Sequence, residues 1–388
     1  MNNRHFRLQG IRQAQQTANR NVGKLFLIGL ASVAAYNWQR WQRDKALAER
    51  LRAAQTPAPA LDNPPQVSAL VAAWNEVEHI DAHIQSFLAL RYPNIELVLC
   101  AGGYDGTLAK ARLYAGERVI VIEQHAGEGK QKALARCYEH AHGDVIYLTD
   151  ADCRFDDDAL ARLLGPIVNE GEHAATGGSR PLAQQADQIL PAYLWASDVV
   201  AGLRNVPYTA GLLGRNAAAT REAIDRSGGL DFEARTGTDY QLARRLLASH
   251  TKIRNVPASV VEAEYPPTYG EYQRRQSRWL RNLLLYSRRY GAAEDARATW
   301  RTIGTGLAML AMPAFALRLG PAVLALWALI VAYAAGAKLR YAAFTERLYA
   351  LRLPKRLPAL LLPLTLVDFA IWASPIIDLL DPRRRERW

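Results

Sequence analysis

The chain has 388 residues, half of them hydrophobic, and a formal net charge of +11 at pH 7. This much apolar sequence can bury a large core against chain entropy, which excludes intrinsic disorder for most of the length. At roughly 150 residues per domain, the length predicts two or three structural units. The positive charge indicates an anionic partner, such as a phosphorylated small molecule, nucleic acid or anionic lipid. The three cysteines form no CxxC pair, so neither a zinc cluster nor a disulfide scaffold is supported.

Residues 1–55 are predicted to form a basic, membrane-associated helical region. The apolar run 25–36 lies between two basic stretches, 1–24 and 40–52, and no small-residue cleavage site follows it, which argues against a signal peptide. About a dozen residues are fewer than the roughly 20 needed to cross a bilayer. An interfacial helix is therefore favoured, with a short tilted span as the alternative. Residues 56–65, which are rich in Pro and Ala, are predicted to be a linker.

Residues 66–300 are predicted to form an α/β domain. Short apolar runs typical of strands are found at 67–73, 95–101, 119–123 and 145–149. Between them, apolar residues spaced three and four apart predict helices at 78–90, 106–114 and 130–141. This alternation predicts a largely parallel sheet, and such sheets bind ligands at the carboxyl ends of their strands. The polar residues that follow the strands are therefore the candidates for a binding site.

Residues 301–388 are predicted to be membrane-associated helices with a basic tail. Long, nearly uncharged runs typical of membrane segments occur at 303–317, 321–338 and 357–380. Buried core helices of a soluble domain are the alternative. The Lys and Arg excess in 338–356 and in the tail 383–387 predicts that both face the cytoplasm. That arrangement requires a hairpin over the first two runs and a third run that re-enters the membrane or lies in its interface.

Two carboxylates, Asp150 and Asp152, follow the strand predicted at 145–149. They are one residue apart on an extended segment, so both can offer oxygens to one hard divalent cation, which can share its shell with phosphates. Acidic pairs also cap helices, and the neighbouring acids 156–158 are interpreted as an N-cap and first helical turn. The pair therefore predicts a cation site, with a helix cap as its alternative.

Two further positions lie where helices are predicted to begin. Gly129 and Lys130 open a helix after a strand, where backbone N–H groups and a lysine can bind a diphosphate, although the spacing is not that of a P-loop. Asp239 precedes the helix predicted at 240–248 and is either an ordinary acid at a helix start or a reacting carboxylate.

A cationic and aromatic helix face is predicted near residue 278. Arg275, Arg278 and Trp279 lie at i, i+3 and i+4 of the helix predicted at 272–286, so their side chains share one face. Such a face suits phosphate and sugar binding, and it equally suits the phosphate region of a membrane.

Taken together, these segments resemble the family 2 glycosyltransferases, whose catalytic domain has the Rossmann-like, mostly parallel GT-A fold. The resemblance covers about residues 67–290, and the motifs occur in the family's order. The strand-loop motifs are VAAWNE at 71–76, GGYDGT at 102–107, GK with AL at 129–134 and DAD at 150–152. The later motifs are GRNAA at 214–218, GGLD at 228–231, TD at 238–239 and RQSRW at 275–279.

The resemblance implies a membrane-bound inverting glycosyltransferase that transfers a sugar from a nucleotide-diphosphate sugar, expected to be a UDP-sugar, to a growing polysaccharide or a lipid. It implies Asp239 as the catalytic base and Asp150 and Asp152 as ligands of Mg²⁺ or Mn²⁺. The residues it implies for nucleotide-sugar binding are Asn75, Glu76, Asp105, Lys130, Asp150, Arg275, Arg278 and Trp279. The catalytic domain is then expected on the cytoplasmic side of the inner membrane, with membrane lipids, and not nucleic acid, as the partner of the basic blocks.

Some positions depart from the family pattern. Cys100 and Ala101 stand where many members have the Asp pair that reads the nucleotide base, so the resemblance assigns no base-reading residue here. Thr238 replaces the Glu of the usual Glu-Asp pair, and Arg275 replaces the Gln of the processive synthases.

Two other functions are alternatives. A catalytically inactive, membrane-anchored relative acting as a scaffold fits the missing base-reading Asp. A sugar-phosphate nucleotidyltransferase would share the α/β core and the cation, but it leaves Asp239, the Arg278–Trp279 pair and the membrane segments unexplained.

Overall fold

The computed structural model of the chain describes residues 2–53, 56–203, 207–234 and 236–380, with side chains from residue 21 onward. Contacts divide the chain into two compact units. The described residues of Met1–Ala53 and Arg297–Ile377 form one unit, and those of Ala54–Ala296 and Asp378–Trp388 form the other.

The larger unit is built on one sheet that has nine strands in the described residues. The strands are β1 (Val67–Trp74), β2 (Ile95–Gly102), β3 (Val119–Glu123), β4 (Val145–Leu148), β5 (Cys153–Arg154), β6 (Ala174–Pro181), β7 (Tyr208–Thr209), β8 (Ala217–Thr220) and β9 (Ile253–Ala263). The helices are α2 (Ile80–Leu88), α3 (Thr107–Arg112), α4 (Gly129–Glu139), α5 (Asp157–Glu170), α6 (Ile189–Leu203), α7 (Arg221–Arg226), α8 (Thr238–Ala248) and α9 (Tyr269–Ser287). The four predicted strands and the three helices predicted between them are present, each within two residues of its predicted ends.

The strand order is β3-β2-β1-β4-β8-β6-β9-β5, with β7 paired to β9. Strands β1 to β4 pair in parallel, as the alternation of strands and helices predicted. Strand β8 is antiparallel to both β4 and β6, so the sheet as a whole is mixed. The predicted α/β class is confirmed, with the parallel arrangement concentrated in the first half. Because β8 runs against β4, the loop before β8 reaches the same edge as the loops that follow β1 and β4.

The sheet is buried on both faces. One face of β1 and β2 packs with α2 and α5 around Val71, Leu97 and Leu163. The other face packs with α4 and α8 around Leu70 and Leu242. Strands covered on both sides read as continuous apolar runs, which is why these strands were predictable.

The segment predicted as a linker lies against α5. Arg162 donates a hydrogen bond to the carbonyl oxygen of Thr56 (2.8 Å), and Asn169 donates to that of Ala60 (2.8 Å). Asp156 is the N-cap of α5, as predicted, because its carboxylate accepts a hydrogen bond from the N–H of Ala159 (2.8 Å).

The other unit is helical. It contains α1 (Asn2–Ala53), most of α10 (Ala293–Leu319), α11 (Pro321–Tyr349) and α12 (Leu357–Ala373), and α13 begins at its end (Pro375–Leu380). In the described residues, three helical segments are long and apolar enough to cross a membrane: Ala293–Leu319, Pro321–Tyr349 and Leu357–Leu380. Each predicted apolar run lies within one of these segments, but α10 begins ten residues before the first run and α11 ends eleven residues after the second. The hairpin and the re-entrant third segment stay predictions, and the basic tail at 383–387 lies outside the described residues.

Helix α1 packs along α11 inside this unit. The rings of Tyr36 and Tyr333 lie 5.8 Å apart, and Arg340 donates hydrogen bonds to Asn37 (3.1 Å) and Asp44 (2.6 Å). The apolar run 25–36 is therefore one part of a continuous helix that follows α11.

An ion pair joins two of the apolar helices. Lys338 on α11 lies 3.0 Å from the carboxylate of Asp368 on α12, and Asp368 is only 1% exposed. Asp368 is an acid within the apolar run 357–380, and its lysine partner explains how a carboxylate is tolerated there.

Candidate active site

The loops that follow β1 and β2 are tied together by Asn75 and Asp105. The side-chain oxygen of Asn75 accepts a hydrogen bond from the N–H of Tyr104 (2.8 Å), and Asp105 accepts from the N–H groups of Val77 and Thr107 (both 3.0 Å). Burial opposes the ionisation of Asp105, but these bonds and one from the Thr107 hydroxyl outweigh it and lower the pKa of Asp105. Both candidate residues therefore shape this edge of the sheet.

A glycine permits the close approach of these two loops. Gly103 has a φ of +118°, and a Cβ at this position would lie 2.2 Å from the side-chain oxygen of Asn75. Beside it, the rings of Trp74 and Tyr104 meet edge to face at 5.6 Å, and Tyr104 is 84% exposed. The end of β1 therefore presents an aromatic surface next to the loops.

Three carboxyl groups lie close enough together for their charges to interact: those of Glu76, Asp150 and Asp152. Burial, reinforced by the charge of Asp152, raises the pKa of Glu76 to about 7. Burial also raises the pKa of Asp152, and the charge of Asp150 adds to this effect. The edge of the sheet thus holds more negative charge than it can easily keep ionised, which favours binding of a cation.

Lys130 and Arg278 bring positive charge to the same place. Lys130, in the first turn of α4, forms an ion pair with Asp150. Burial alone would raise the pKa of Asp150, but Lys130 outweighs it and lowers that pKa. Arg278 on α9 interacts with the charges of Asp150 and Asp239, while its burial lowers its pKa. Asp239 also interacts with Lys130, so these side chains form one cluster.

Asp239 lies inside α8 and not just ahead of it. The helix begins at Thr238, two residues earlier than predicted, because Gly237 takes a left-handed conformation (φ 66°) as its N-cap. The side chain of Asp239 faces Gly214, where an added Cβ would lie 3.1 Å from the Cβ of Asp239. The first turn of α8 therefore holds this carboxylate beside the loop that precedes β8.

The three candidates on α9 have different surroundings. The guanidinium of Arg275 lies 5.7 Å from the centre of the buried Tyr265 ring. Arg278 interacts with the carboxylates described above, whereas Trp279 is 52% exposed. The common face predicted from the spacing thus splits into a charge-binding part and an exposed aromatic part.

Arg215, in the loop before β8, is a member of the cluster that the sequence patterns did not indicate. Its guanidinium is buried, interacts with the charges of Asp152 and Asp150, and lies 5.7 Å from the Tyr265 ring. The available signal was its place inside the GRNAA motif, between the glycine and the asparagine.

Asp150 and Asp152 can bind a divalent cation if other ligands, not supplied by these side chains, complete its coordination shell. In the ranges that the structure describes, no group of three or more His, Cys, Asp and Glu side chains is arranged to hold a metal ion. Asp150 and Asp152 nevertheless supply the carboxylate oxygens that Mg²⁺ and Mn²⁺ bind, with the carboxyl group of Glu76 nearby. The remaining ligands would then be oxygens of a bound phosphate and water.

Comparison with known families decides the class of protein. Residues 68–212 match the model of the family described as glycosyl transferase family 2. Residues 145–369, more than half of the chain, match that of glycosyl transferase family group 2. The chain belongs to the family 2 glycosyltransferases. The resemblance found in the sequence is thereby confirmed.

Individual relatives agree with this assignment. The chain is 26% identical over 233 residues to the probable glycosyltransferase YdaM of Bacillus subtilis, covering 56% of this chain and 55% of that protein. It is 26% identical over 236 residues to the beta-monoglucosyldiacylglycerol synthase of Synechocystis, covering 55% of this chain and 47% of that enzyme. The chain thus spans about half the length of these relatives.

A solved structure shares the fold. The mannosyltransferase PcManGT from Pyrobaculum calidifontis, in complex with GDP-Man and Mn²⁺, superimposes with a TM-score of 0.50 at 19% identity, covering 92% of this chain and 99% of its own. The expected GT-A glycosyltransferase fold is confirmed.

Proposed function

We propose that the chain is a membrane-bound inverting glycosyltransferase that transfers a sugar from a nucleotide-diphosphate sugar to an acceptor hydroxyl. One observation carries the proposal: Lys130, Asp150, Asp152, Asp239 and Arg278 converge at one edge of the sheet. Cations suited to a diphosphate thus lie beside carboxylates suited to a metal ion and to an acceptor proton. Membership of the family supports the same reaction.

On the donor side, Asp150 and Asp152 hold Mg²⁺ or Mn²⁺, which when bound neutralises the charge that builds up on the leaving nucleoside diphosphate. Lys130 and Arg278 bind the diphosphate oxygens through charge-assisted hydrogen bonds, and their partial burial strengthens these bonds. Mn²⁺ in the complex of the Pyrobaculum mannosyltransferase supports the choice of cation.

The nucleotide occupies the ends of β1 and β2. Asn75 and Asp105 hold the two loops in place through the hydrogen bonds described above, and Glu76 lies between these loops and the carboxylates of the cation site. Preorganised loops cost less to order on binding, which favours the donor complex.

On the acceptor side, Asp239 removes the proton of the attacking hydroxyl as the bond to the anomeric carbon forms. Its place in the first turn of α8, beside the cationic side chains, supports this role, because the site keeps a carboxylate close to the diphosphate. Trp279, half exposed on α9, supplies a flat surface on which an acceptor sugar stacks, and Arg275 contacts Tyr265 one turn away.

The acceptor is a lipid or a growing polysaccharide. Similarity to a beta-monoglucosyldiacylglycerol synthase, an enzyme named for a glycolipid product, supports a lipid acceptor. The three helices that are long and apolar enough to cross a membrane support it as well. The RQSRW segment supports a polysaccharide, because it resembles the motif of processive synthases. In either case the catalytic unit faces the cytoplasm at the inner membrane.

The test uses the detergent-solubilised full chain with a panel of UDP-, GDP- and dTDP-sugars, and with lipid or oligosaccharide acceptors. We expect acceptor-dependent release of nucleoside diphosphate from one donor. The release should be lost in Asp239→Asn and kept in Asp225→Asn, a matched change at a carboxylate that only binds the Tyr138 hydroxyl (2.6 Å). Release from no donor, or equal release from both variants, would contradict the proposal.

A further inference from the structure

Arg215 has a buried guanidinium with a hydrogen-bond donor that is not paired among the described residues. The residue is 8% exposed, and its Nη1 atom is buried without a hydrogen-bond partner among the described residues. A buried guanidinium that is incompletely hydrogen-bonded is costly, since it has lost its water without full replacement. Acceptor oxygens of a bound ligand would satisfy this donor.

The neighbouring residue fixes where Arg215 stands. The Asn216 side chain donates hydrogen bonds to the carbonyl oxygens of Gly178 (2.9 Å) and Ser259 (3.1 Å), and the backbone carbonyl of Asn216 accepts one from the N–H of Gly177 (2.8 Å). A Cβ at Gly177 would lie 2.3 Å from the Asn216 amide, so this packing leaves no room for adjustment. These hydrogen bonds hold the residue before β8 against β6 and β9, and so fix the position of the neighbouring Arg215.

Pairing of β4 with β8 brings Arg215 to the edge that carries the cation site. Leu148, the last residue of β4, pairs with Ala217, the first residue of antiparallel β8. Asp150 follows β4 by two residues and Arg215 precedes β8 by two residues, and the guanidinium interacts with the charges of Asp150 and Asp152. The guanidinium also lies 5.7 Å from the centre of the Tyr265 ring, which Arg275 contacts as well.

Each carboxylate of the cation site therefore has a protein cation near it. Lys130 pairs with Asp150, and Arg215 interacts most strongly with Asp152. Asp150 and Asp152 would hold a divalent ion, which would supply positive charge to both carboxylates. Lys130 and Arg215 would then be available to bind the oxygens of a diphosphate at the same place.

We propose that Arg215 is a further donor-binding residue, which balances Asp152 in the empty site and binds the diphosphate of the donor once nucleotide and cation have entered. The assignment rests on the proposed function, because it requires a nucleotide-diphosphate ligand. The planar guanidinium suits this task, since it can bind two phosphate oxygens at once.

Binding measurements on the full chain in detergent test the assignment without relying on turnover. Isothermal titration with UDP, GDP and dTDP, each with Mn²⁺, is compared with titration of the matching monophosphates. In Arg215→Gln we expect the affinity for the nucleoside diphosphate to fall about 10- to 100-fold, the range of a charge-assisted hydrogen bond. The affinity for the monophosphate should fall clearly less.

Arg221→Gln is the matched control. Arg221 lies at the other end of β8, where it donates to the carbonyl oxygens of Ala141 (2.6 Å) and Gly143 (2.9 Å). This variant should keep both affinities. Arg215→Lys keeps the charge without the planar fork and should retain part of the diphosphate affinity.

The outcomes separate the two proposals. If the wild type binds none of the three diphosphates, the proposed function fails, and this assignment fails with it. If the wild type binds one and Arg215→Gln binds it within twofold, or loses diphosphate and monophosphate equally, only the assignment of Arg215 is overturned. If Arg215→Gln does not fold, Arg215→Lys decides: a lowered ratio of diphosphate to monophosphate affinity supports the assignment, and an unchanged ratio overturns it.

Discussion

Lys130 and Asp150 form an ion pair where α4 begins and β4 ends. The pair lowers the pKa of the aspartate and raises that of the lysine, so each partner keeps the other charged despite burial. The residues lie 20 positions apart in the chain, in two motifs that the sequence presents separately. Their contact joins a helix start suited to phosphate with a carboxylate suited to a metal ion.

Activity is expected to require a divalent cation. Asp152→Asn should abolish turnover and weaken binding of the nucleotide sugar, because the cation joins the carboxylates to the diphosphate. Asp156→Asn is the control, since asparagine replaces aspartate well as the N-cap of α5 and should leave activity intact. Assays with excess EDTA and with added Mn²⁺ or Mg²⁺ check the same point, and full activity in EDTA would refute it.

The ion pair between Lys338 and Asp368 is expected to stabilise the helical unit. Lys338→Met removes the lysine partner of a buried carboxylate, and breaking a buried ion pair from one side typically costs about 3–5 kcal/mol. The double variant with Asp368→Leu should recover much of the loss, because no buried charge is left. Thermal unfolding in detergent measures both, with Lys355→Met at an exposed position as the control. An unchanged midpoint for Lys338→Met alone would show that the pair contributes nothing.

Orientation in the membrane is predicted from the basic segment 338–356, which forms the last turns of α11 and the loop after it. This segment is expected on the cytoplasmic side, together with the catalytic unit, because Lys and Arg resist translocation. A membrane-impermeant maleimide applied to intact cells should label Leu319→Cys, at the last residue of α10, and should not label Lys355→Cys. Labelling of residue 355 from outside would reverse the predicted orientation.

Acid is expected to weaken the α/β unit through Glu96. Its carboxylate accepts hydrogen bonds from Ser68 (2.6 Å) and from the backbone and ring of His142 (2.6 and 3.1 Å). Burial opposes ionisation, but these bonds outweigh it and lower the pKa of Glu96. The ionised group therefore stabilises the fold above its unfolded pKa of roughly 4.3, and this stabilisation is lost as the pH falls through the lower folded value.

Thermal melts across the pH range check this prediction. Glu96→Gln should melt at a lower temperature than the wild type at pH 7, and this difference in melting temperature should disappear only below about pH 4. A difference that stays constant down to pH 3 would show that ionisation of Glu96 does not contribute to stability.

The predictable part of the fold is the part with continuous apolar strands. Strands β1 to β4 lie between helices on both faces and are rich in Val, Ile and Leu, so their positions could be predicted to within a residue at each end. Strands β6 and β8 have the sequences AATGGSRP and AAAT, in which one threonine each is the only β-branched residue and no aromatic residue occurs, so the usual marks of a strand are weak. Their antiparallel pairing was therefore not foreseen.

In the candidate site, too, local sequence patterns indicate some residues, whereas others are brought in only by strand pairing. Asp150, Lys130 and Asp239 lie beside predictable strand ends and helix starts, so local patterns could indicate them. Arg215 becomes a neighbour of Asp150 only through pairing of β4 with β8, more than sixty residues later in the chain, and no local pattern reports such a contact. Helix spacing correctly placed Arg275 and Arg278 on one helix, but their different partners depend on tertiary packing.

The most direct test of the proposed reaction is the effect of Asp239→Asn on turnover and on donor binding, measured separately. Asparagine keeps the size of the side chain and removes its basicity, so turnover should fall about 100-fold or more, within the range that general-base catalysis supplies. Donor affinity should barely change, because Lys130 and the cation site are untouched, whereas replacement of Arg278 should weaken donor binding and turnover together. Near wild-type turnover of Asp239→Asn with a verified acceptor would contradict the assignment of this carboxylate as the base.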